Sequence, residues 1–542
     1  MTSRAPLHIS GEREFPVEPL AIPADARTAE AIGGSPAVAL FVQRAHSVRP
    51  DFALTDENAE AVAQICRRLD GLPLAIELAA SKVKLLSPEQ ILQRLGSRLT
   101  LLKGGARDLP ARQQTLRDTI GWSYELLDQP TARTFRALGT FAGAASLESI
   151  EAVAGEDVFD ALTLLVDHSL VRQNEGARFG MLETIREFAV DRLEASGEAE
   201  STRRRQAEVM LRIAEDADAR MRGPDDARSR ALFEAELDNM RAALGWTLAQ
   251  GADPPLGARL AVRLGQFWYT HAYAVEGSEW LEAAYAKRAD LPLDLRALLV
   301  WRLGVLLDTR AEVARAAELF EEDVALYREL GDQSGTASAL NSLGSAVRNA
   351  GDVERARPLF EEALAIRREM GDEPGQATAL YNLGCLALDE GDRARGRAML
   401  EEGLALDAKA GDEWGVAADV HALGVAALDA GELDEARGLF VRALEAFRDV
   451  GDADRVAEVL GSMAGLAGAT GDPVRSARLA GTAEATWGGL GIPLAPHDRA
   501  RFERYQEKAH AALGVDAFEQ ARREGRSMTV DQAITFALAE LG

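Results

Sequence analysis

This sequence of 542 residues has little cysteine, and it lacks long apolar runs and an excess of positive charge. Its two cysteines, Cys66 and Cys385, lie far apart in the chain, which excludes a disulfide framework or a Cys-rich zinc site and fits a reducing compartment. No window reaches ~18 uncharged apolar residues, and the N-terminus has no basic stretch followed by an apolar one. We therefore expect a cytoplasmic protein with no membrane partner.

Basic residues are outnumbered, with 61 Lys and Arg against 87 Asp and Glu, and the formal net charge is −26. A large nucleic-acid footprint needs Lys and Arg to displace counterions from phosphates, so this composition argues against direct DNA binding. The simplest role of the acidic balance is solubility. Hydrophobic residues make up 47 % of the chain, which is enough for packed cores in several domains.

The motifs of common catalytic and metal sites are also missing. The sequence contains no G-x-x-x-x-G-K-[ST] phosphate-binding loop and no G-x-S-x-G nucleophile elbow. Its seven histidines are scattered, without an H-E-x-x-H or another close pair of metal ligands. We therefore predict no catalytic residue, no metal site and no enzymatic activity for this chain.

The sequence does have a period of 40 residues. Glycine followed by an acidic residue recurs at Gly331, Gly371, Gly411 and Gly451, and again 20 residues later at Gly351, Gly391, Gly431 and Gly471. Glycine adopts the left-handed conformation that ends a helix, and the acidic residue after it can cap the next helix. Each interval therefore predicts one helix of about 16 residues and a tight turn.

Small residues recur inside both helices of the predicted hairpin. Near the middle of the first helix lie Gly344, Gly384 and Gly424. At a matching place in the second helix lie Ala356, Gly396 and Ala436, and four residues later come Phe360, Leu400 and Phe440. Glycine inside a helix costs ~1 kcal/mol relative to alanine, so its recurrence predicts a close contact between the two helices.

This pattern resembles an array of tetratricopeptide repeats (TPRs), in the longer form common in bacterial regulators, and we expect it over residues 253–488. The resemblance implies a concave face, lined by the first helix of each hairpin, that binds a protein or a small-molecule inducer. By the family's pattern, the residues that point into it are Asn341, Arg348, Asn349, Tyr381, Asp389, His421 and Asp429. The alternative is that these residues only form a solvated surface.

The N-terminal part carries a second resemblance. The run from Ile65 to Leu78, with Gly71-Leu72-Pro73-Leu74 at its centre, is similar to the GLPL segment of signal-transduction ATPases with numerous domains (STAND, NB-ARC-like). This family includes bacterial transcriptional activators with repeat sensors. Segments 109–117, 120–124 and 181–189 fit the same group, and Thr2-Ser3-Arg4 resembles the strand end that carries the family's sensor arginine.

The resemblance implies an order of domains. Residues 1–30 correspond to a remnant of the nucleotide-binding domain, 31–105 to a helical lid, 106–198 to a winged-helix domain and 199–252 to a helical linker. The array over 253–488 and a C-terminal helical cap over 489–542 follow. The expected fold class is therefore mainly α: a helical lid and a winged-helix domain, followed by a TPR-like α-solenoid of 40-residue hairpins.

In that family the GLPL proline packs against adenine and the sensor arginine approaches the terminal phosphates. Carried over, residual nucleotide contacts fall on Arg4, Gly71, Pro73 and Leu74. The alternatives are that Pro73 only starts a helix and that Arg4 is an ordinary terminal residue. The Walker A and Walker B motifs are absent, so we expect no cofactor on the chain alone, although intact family members bind ATP or ADP.

The expected function is the regulatory, sensor portion of a STAND-type ATPase in transcriptional control. Two alternatives stay open: a stand-alone TPR scaffold, and an ATP- or ADP-binding protein that needs a separate P-loop core. The predicted wing, residues 171–179, carries only two cations, so direct DNA contact is not expected. The residues identify neither the inducer nor the oligomeric state.

Overall fold

A computed structural model describes residues 19–22, 29–95, 116–155, 158–221, 226–270, 273–490, 494 and 496–539. Within these ranges the chain is mainly α-helical and carries one small sheet, so the predicted fold class, a TPR-like helical solenoid included, is confirmed. None of the helices in these ranges is long and apolar enough to cross a membrane. The chain divides into two compact units, residues 1–260 and 261–542.

The first unit begins with a small helical bundle. Its helices are α1 (Ala29–Gly33), α2 (Pro36–Val48), α3 (Asp56–Arg68), α4 (Pro73–Ala80) and α5 (Pro88–Arg94). Proline stands at the first turn of α2, α4 and α5, where its missing N–H costs nothing. The bundle packs around fully buried side chains such as Phe41, Ile65 and Ile76.

A mixed segment of helices and short strands follows. Its elements are α6 (Leu116–Glu125), α7 (Gln129–Leu138), β1 (Ala145–Ser146), α8 (Leu147–Ala154), α9 (Val158–Asp167), β2 (Arg172–Asn174), β3 (Arg178–Gly180) and α10 (Glu183–Ser196). The strands form an antiparallel sheet in the order β1-β3-β2, with Gln173 opposite Phe179. The rings of Phe135 and Phe188 lie 5.4 and 5.7 Å from that of Tyr124 and hold α6, α7 and α10 together.

Three helices lead towards the repeats: α11 (Ala199–Asp218), α12 (Asp226–Leu244), which continues into one π-helical turn (Gly245–Ala249), and α13 (Pro254–Thr270). Asn239 of α12 is fully buried and hydrogen-bonds to the chain just before β1. Its Oδ1 accepts from the Gly143 N–H at 2.8 Å, and its Nδ2 donates to the Ala144 carbonyl at 3.1 Å and to Glu236 Oε2 at 2.7 Å. These bonds fix α12 to the residues just before β1.

The second unit is a succession of helical hairpins. After α14 (Ala274–Tyr285) come α15 (Leu293–Thr309) with α16 (Val313–Leu330), α17 (Gln333–Asn349) with α18 (Val353–Met370), α19 (Glu373–Asp389) with α20 (Arg393–Ala410), α21 (Glu413–Ala430) with α22 (Leu433–Val450), and α23 (Ala453–Ala469) with α24 (Pro473–Leu490). Odd-numbered helices are the first of each pair, and even-numbered helices are the second.

The turns and contacts of the hairpins have the predicted origin. Gly331, for example, ends α16 with φ +68°, and the Asp332 side chain then accepts from the Gly335 N–H at 3.0 Å. A Cβ added to Gly344 would lie 2.6 Å from Cε1 of Phe360, so the two helices touch where the repeat pattern places small residues. The close approach that the sequence predicts is confirmed.

Ion pairs join the second helices of neighbouring hairpins along the outer surface. Arg328 pairs with Glu362 at 2.6 Å, Arg368 with Glu402 at 3.0 Å, and Arg395 with Glu361 at 3.2 Å. We call this set the outer ladder. Its side chains are 40–54 % exposed, so each pair contributes at most about 1 kcal/mol.

Helices α25 (Pro496–Leu513), α26 (Val515–Arg526) and α27 (Val530–Leu538) follow the last hairpin. The backbones of α26 and α24 are in contact where the two helices cross. A Cβ added to Gly481 would lie only 2.2 Å from the Arg522 carbonyl oxygen. At the same crossing Thr482 Oγ1 donates to the Gly525 carbonyl at 2.8 Å. Helix α27 packs on both α23 and α24. The last hairpin is therefore covered on several sides.

Candidate functional site

The first helices of the hairpins form one continuous surface, which we call the inner groove. It consists of α15, α17, α19, α21 and α23, and the seven residues that the TPR pattern selects lie on three of these helices. Helix α25 contacts both α17 and α23, although two complete hairpins lie between their hairpins in the chain. The surface is therefore concave between α17 and α23.

Three of the predicted residues take part in hydrogen bonds between neighbouring hairpins. Arg348 Nε donates to Asp389 Oδ2 at 2.6 Å, and both side chains are largely shielded, with exposures of 16 % and 12 %. Asn349 Nδ2 lies 3.5 Å from Asp308 Oδ2 on the preceding first helix. The structure thus brings Arg348 and Asp389 together, and it joins Asn349 to a residue that the sequence pattern did not select.

His421 is buried, and its environment holds it neutral. Its Nε2 lies 2.9 Å from Ser462 Oγ, and its Nδ1 lies 3.9 Å from Glu458 Oε1. Burial lowers the pKa of His421 to about 4, even though the Glu458 carboxylate acts in the opposite direction. At neutral pH the imidazole is therefore a hydrogen-bonding group without charge.

Glu458 is the centre of the charged part of the groove, although the TPR pattern does not select it. Arg455 Nη1 donates to its Oε2 at 2.6 Å, and Arg501 Nη2 lies 3.6 Å from its Oε1. Burial opposes ionisation, but Arg455, His421 and Arg501 outweigh it and lower the pKa of Glu458 to about 2. A carboxylate fixed in this way stays charged at every physiological pH.

A sequence signal for this centre exists in the repeat itself. The positions equivalent to Glu458 in earlier hairpins are Ser338, Thr378 and Ala418. An acid that replaces small residues at one repeat position departs from the pattern, and Arg455 lies three residues before it on the same helix. Such a departure could have identified the cluster, whereas the general TPR pattern could not.

Several polar atoms of the groove have no partner among the described residues. They include Asn341 Oδ1 and Asp308 Oδ1. Burial raises the pKa of Asp308 to about 6. The hydrogen bond from Asn349 lowers this pKa, and the charge of Asp498 raises it. Buried acceptors without donors are costly, so these atoms mark places where a bound group with N–H donors would be stabilised.

Tyr381 and Cys385 form the apolar part of the same surface. Tyr381 packs against the apolar cluster of Cys385, Leu400, Ala422 and Leu423. Burial raises the pKa of the Cys385 thiol to about 11, so the thiol stays protonated at neutral pH and is a packing group. Asp429, the last predicted residue, is exposed on α21. The pKa of Tyr505 is raised mainly by burial, and the negative charge of Asp429 raises it further.

The predicted nucleotide contacts lie in the first unit. Arg4 is outside the described residues. Pro73 is exposed at the first turn of α4, and Leu74 is half-buried beside it. Gly71 has φ +64°, and its carbonyl accepts from the Leu20 N–H at 3.0 Å. This geometry explains Gly71 without a ligand, and the nucleotide role of Gly71, Pro73 and Leu74 stays a prediction.

The substitution Gly71→Ala is expected to destabilise the helical bundle by about 1–2 kcal/mol, because alanine is strained at positive φ and its Cβ would lie 2.1 Å from the Leu20 carbonyl oxygen. Hydrogen exchange of α3 and α4 measures the change. Gly197→Ala is the control: its φ is +77°, but nothing lies within 4 Å of its Cβ position. Equal losses in the two variants would show that the Leu20 contact contributes nothing.

Comparison with known protein families supports the repeat assignment. Residues 335–409 match the tetratricopeptide repeat family. These residues comprise most of α17 and all of α18 and α19, and they continue to the last turn of α20. The hairpins α17–α18 and α19–α20 therefore match tetratricopeptide repeats, and the other hairpins of the second unit belong to the same TPR-like helical solenoid.

Similar curated proteins come from mycobacteria. A candidate HTH-type transcriptional regulator of Mycobacterium tuberculosis is 36 % identical over 365 residues, which cover 63 % of this chain and 39 % of that protein. An uncharacterised protein of the same species is 37 % identical over 210 residues, which cover 37 % of this chain and 51 % of that protein. The chain thus spans 39–51 % of the length of these relatives.

The chain is also similar to solved structures at low sequence identity. One is a crystal structure of a STAND protein with a tetratricopeptide repeat sensor from Pyrococcus horikoshii, 14 % identical, covering 92 % of this chain and 72 % of that chain, with a TM-score of 0.41. Another is aspartyl phosphate phosphatase F from Bacillus subtilis, 12 % identical, covering 79 % and 97 % of the two chains, with a TM-score of 0.40.

Proposed function

We propose that this chain is the sensor portion of a STAND-type transcriptional regulator, and that its inner groove binds a protein segment or a small-molecule inducer. The proposal is based on the inner groove. The groove holds buried charged residues on successive repeats, together with buried hydrogen-bond acceptors that have no partner among the described residues. The 36 % identity to a candidate HTH-type transcriptional regulator over 365 residues supports the regulatory role.

The chemistry of the groove favours a ligand with several hydrogen-bond donors. Asn341 Oδ1 and Asp308 Oδ1 offer acceptors, whereas Arg348 and Arg455 offer charged donors. Tyr381 supplies an apolar surface between them. Peptides combine N–H donors, carbonyl acceptors and apolar side chains in one molecule, so a peptide segment of a partner protein suits the groove best.

We also propose that residues 106–198 are a winged-helix domain with a structural role. The order α7-β1-α8-α9-β2-β3 and the sheet order β1-β3-β2 support this assignment. Helix α9 would be the one that enters DNA, but it contains no Lys or Arg, and it exposes Phe159, Asp160 and Leu164. Such a face suits a contact with protein, and we expect it not to bind phosphates.

No catalysis is part of the proposal. The helical lid with Pro73 would contact ATP or ADP only together with a P-loop, and this sequence has no G-x-x-x-x-G-K-[ST]. Phosphoryl transfer depends on positioned phosphate-binding and metal-binding groups. We therefore assign to this chain the regulation of such a switch and not its chemistry.

The substitution Asn341→Ala tests the proposed function. Its Oδ1 has no partner among the described residues, so the variant should fold normally while losing a ligand contact. We expect a strain with Asn341→Ala to reproduce the transcript changes of a deletion strain, with several-fold differences in the same genes. The control is Glu361→Ala in the outer ladder, which should keep the transcript profile of the wild type.

Two results would contradict the proposal. Identical transcript profiles in the deletion and wild-type strains would exclude a regulatory role. A deletion profile that differs from the wild type, together with an unchanged Asn341→Ala profile, would show that regulation does not use this part of the groove. Circular dichroism of the purified variants checks that both proteins are folded.

A further inference from the structure

The last hairpin differs from the others where its first helix faces the inner groove. In the three preceding first helices one groove position is held by Asn341, Tyr381 and His421, and its equivalent in α23 is Gly461. Another position, held by Asn349, Asp389 and Asp429, is Ala469 in α23. The last repeat has therefore lost the side chains that fill the groove elsewhere.

Helix α25 occupies the space that these small residues leave. A Cβ on Gly465 would lie 2.7 Å from Cγ of Tyr505, and a Cβ on Gly461 would lie 3.2 Å from Cδ2 of Phe502. Contacts this short mean that α25 lies directly on the groove side of α23. Because these glycines have no side chain, they leave room for two aromatic side chains of α25.

The polar residues of α25 extend this contact towards the earlier repeats. Arg501 Nη2 donates to Asp498 Oδ1 at 2.8 Å and lies 3.6 Å from Glu458 Oε1. The negative charge of Asp498 raises the pKa of both Arg348 and Asp308. Helix α25 also contacts α17 directly. One helix of the chain therefore covers the groove from α23 back to α17.

Helix α25 has a buried face and an exposed face. It buries Phe502, Gln506 and Ala509, whereas Glu503 and Lys508 are exposed. It also packs on α24 and α26, where the Phe502 ring lies 5.4 Å from that of Trp487 and the His510 ring lies 5.0 Å from that of Phe518. A cavity of about 600 Å³ with a mixed charged and apolar lining lies beside these contacts. Tyr505 Oη is buried without a partner among the described residues. The helix is thus held on α23, α24 and α26 mainly by apolar contacts, and its buried Tyr505 hydroxyl makes no hydrogen bond to the described residues.

We propose that α25 is an exchangeable occupant of the inner groove, and that the partner is an amphipathic helical peptide that replaces it. The peptide would carry two aromatic residues three positions apart, as Phe502 and Tyr505 are, preceded by an arginine for Glu458, as Arg501 is. This inference rests on the proposed function and deepens it, because it defines the class of partner and makes binding compete with the protein's own helix.

A synthetic peptide of residues 496–513 is a direct probe of this exchange. In the full chain the double variant Phe502→Ala/Tyr505→Ala removes both aromatic anchors, so its α25 should leave the groove. We expect this variant to bind the fluorescent peptide at least about tenfold more tightly than the wild type does, because in the wild type the attached helix competes at high local concentration. Fluorescence anisotropy measures both affinities.

The control variant is Glu503→Ala/Glu507→Ala, which changes exposed residues of the same helix. It should bind the peptide as weakly as the wild type. A peptide with Phe502→Ala and Tyr505→Ala should bind to neither protein. Hydrogen exchange of the wild type should show faster exchange in α25 than in α23, because opening of α25 alone precedes unfolding of the repeat.

The inference is overturned if the double variant does not bind the peptide, or if α23 and α24 lose their exchange protection together with α25, because α25 would then be a fixed part of the last repeat. These outcomes differ from failure of the proposed function. An effect of Asn341→Ala on transcripts without peptide binding would leave the groove as a regulatory site with a different kind of partner.

Discussion

Replacement of Asp323 by alanine is expected to stabilise the repeat array, and to do so more at pH 8 than at pH 5. Asp323 lies in α16 with no exposed surface, and neither carboxylate oxygen has a hydrogen-bond partner among the described residues. The equivalent residues of later repeats are Ala363, Gly403 and Ala443. An acid thus occupies a position that the fold uses for small apolar residues.

The direction of the pH dependence follows from the pKa. Burial, with a smaller contribution from Glu322, raises the pKa of Asp323 to about 8, whereas the unfolded value is about 3.9. Between these values the unfolded chain is ionised while the folded chain keeps the proton, so stability falls as the pH rises. At pH 7–8 the loss is roughly 2–4 kcal/mol, and alanine removes it.

Urea unfolding of the variant and the wild type at pH 5 and pH 8, followed by hydrogen exchange in α16, measures this difference. Asp434→Ala is the matched control, because Asp434 is exposed on α22 and should show no gain that grows with pH. An equal gain at both pH values in Asp323→Ala would mean that the carboxyl group is not protonated in the folded protein.

Gly344→Ala is expected to have opposite effects in two backgrounds. In the wild type the new Cβ would lie 2.6 Å from Phe360 Cε1 inside a fully packed contact, which costs about 1–3 kcal/mol. Phe360→Ala alone should cost about 3–5 kcal/mol, since the ring is fully buried. In that background the clash is gone, and Gly344→Ala should stabilise α17 by up to ~1 kcal/mol through helix propensity.

This reversal of sign is measured as the coupling energy of a double-mutant cycle, from denaturant-dependent hydrogen exchange of α17 and α18. Gly438→Ala provides the matched control, because Gly438 lies inside helix α22 with nothing within 4 Å of its Cβ position. It should be stabilising in every background. If Gly344→Ala were equally harmful with and without the Phe360 ring, the helix contact would not be the reason for the glycine.

The repeat part of the fold is readable from sequence because its causes are local. Gly331 and Asp332 end one helix and begin the next, and Gly344 contacts a residue only 16 positions away, Phe360. The first-helix positions of the groove follow from the same period. Such contacts recur in every hairpin, so one chain provides several copies of the same information.

The remainder of the site depends on contacts that the 40-residue repeat does not predict. Glu458 meets Arg501 only because α25 turns back onto α23, and Asp498 acts on Asp308 from 190 positions away. His421 lies on the predicted face but is buried by its neighbours. The signals for these features are breaks in the repeat, such as Gly461 and Glu458, which gain meaning once the packing of α25 is known.

The outer ladder has a mechanical consequence. Each of its ion pairs sets the distance between two neighbouring second helices, and each is exposed enough for salt to weaken it. The pair of Arg348 and Asp389 on the opposite edge is shielded and keeps its strength. We therefore expect salt to loosen the contacts between the second helices, whereas the spacing of the first helices, and with it the width of the groove, should be kept.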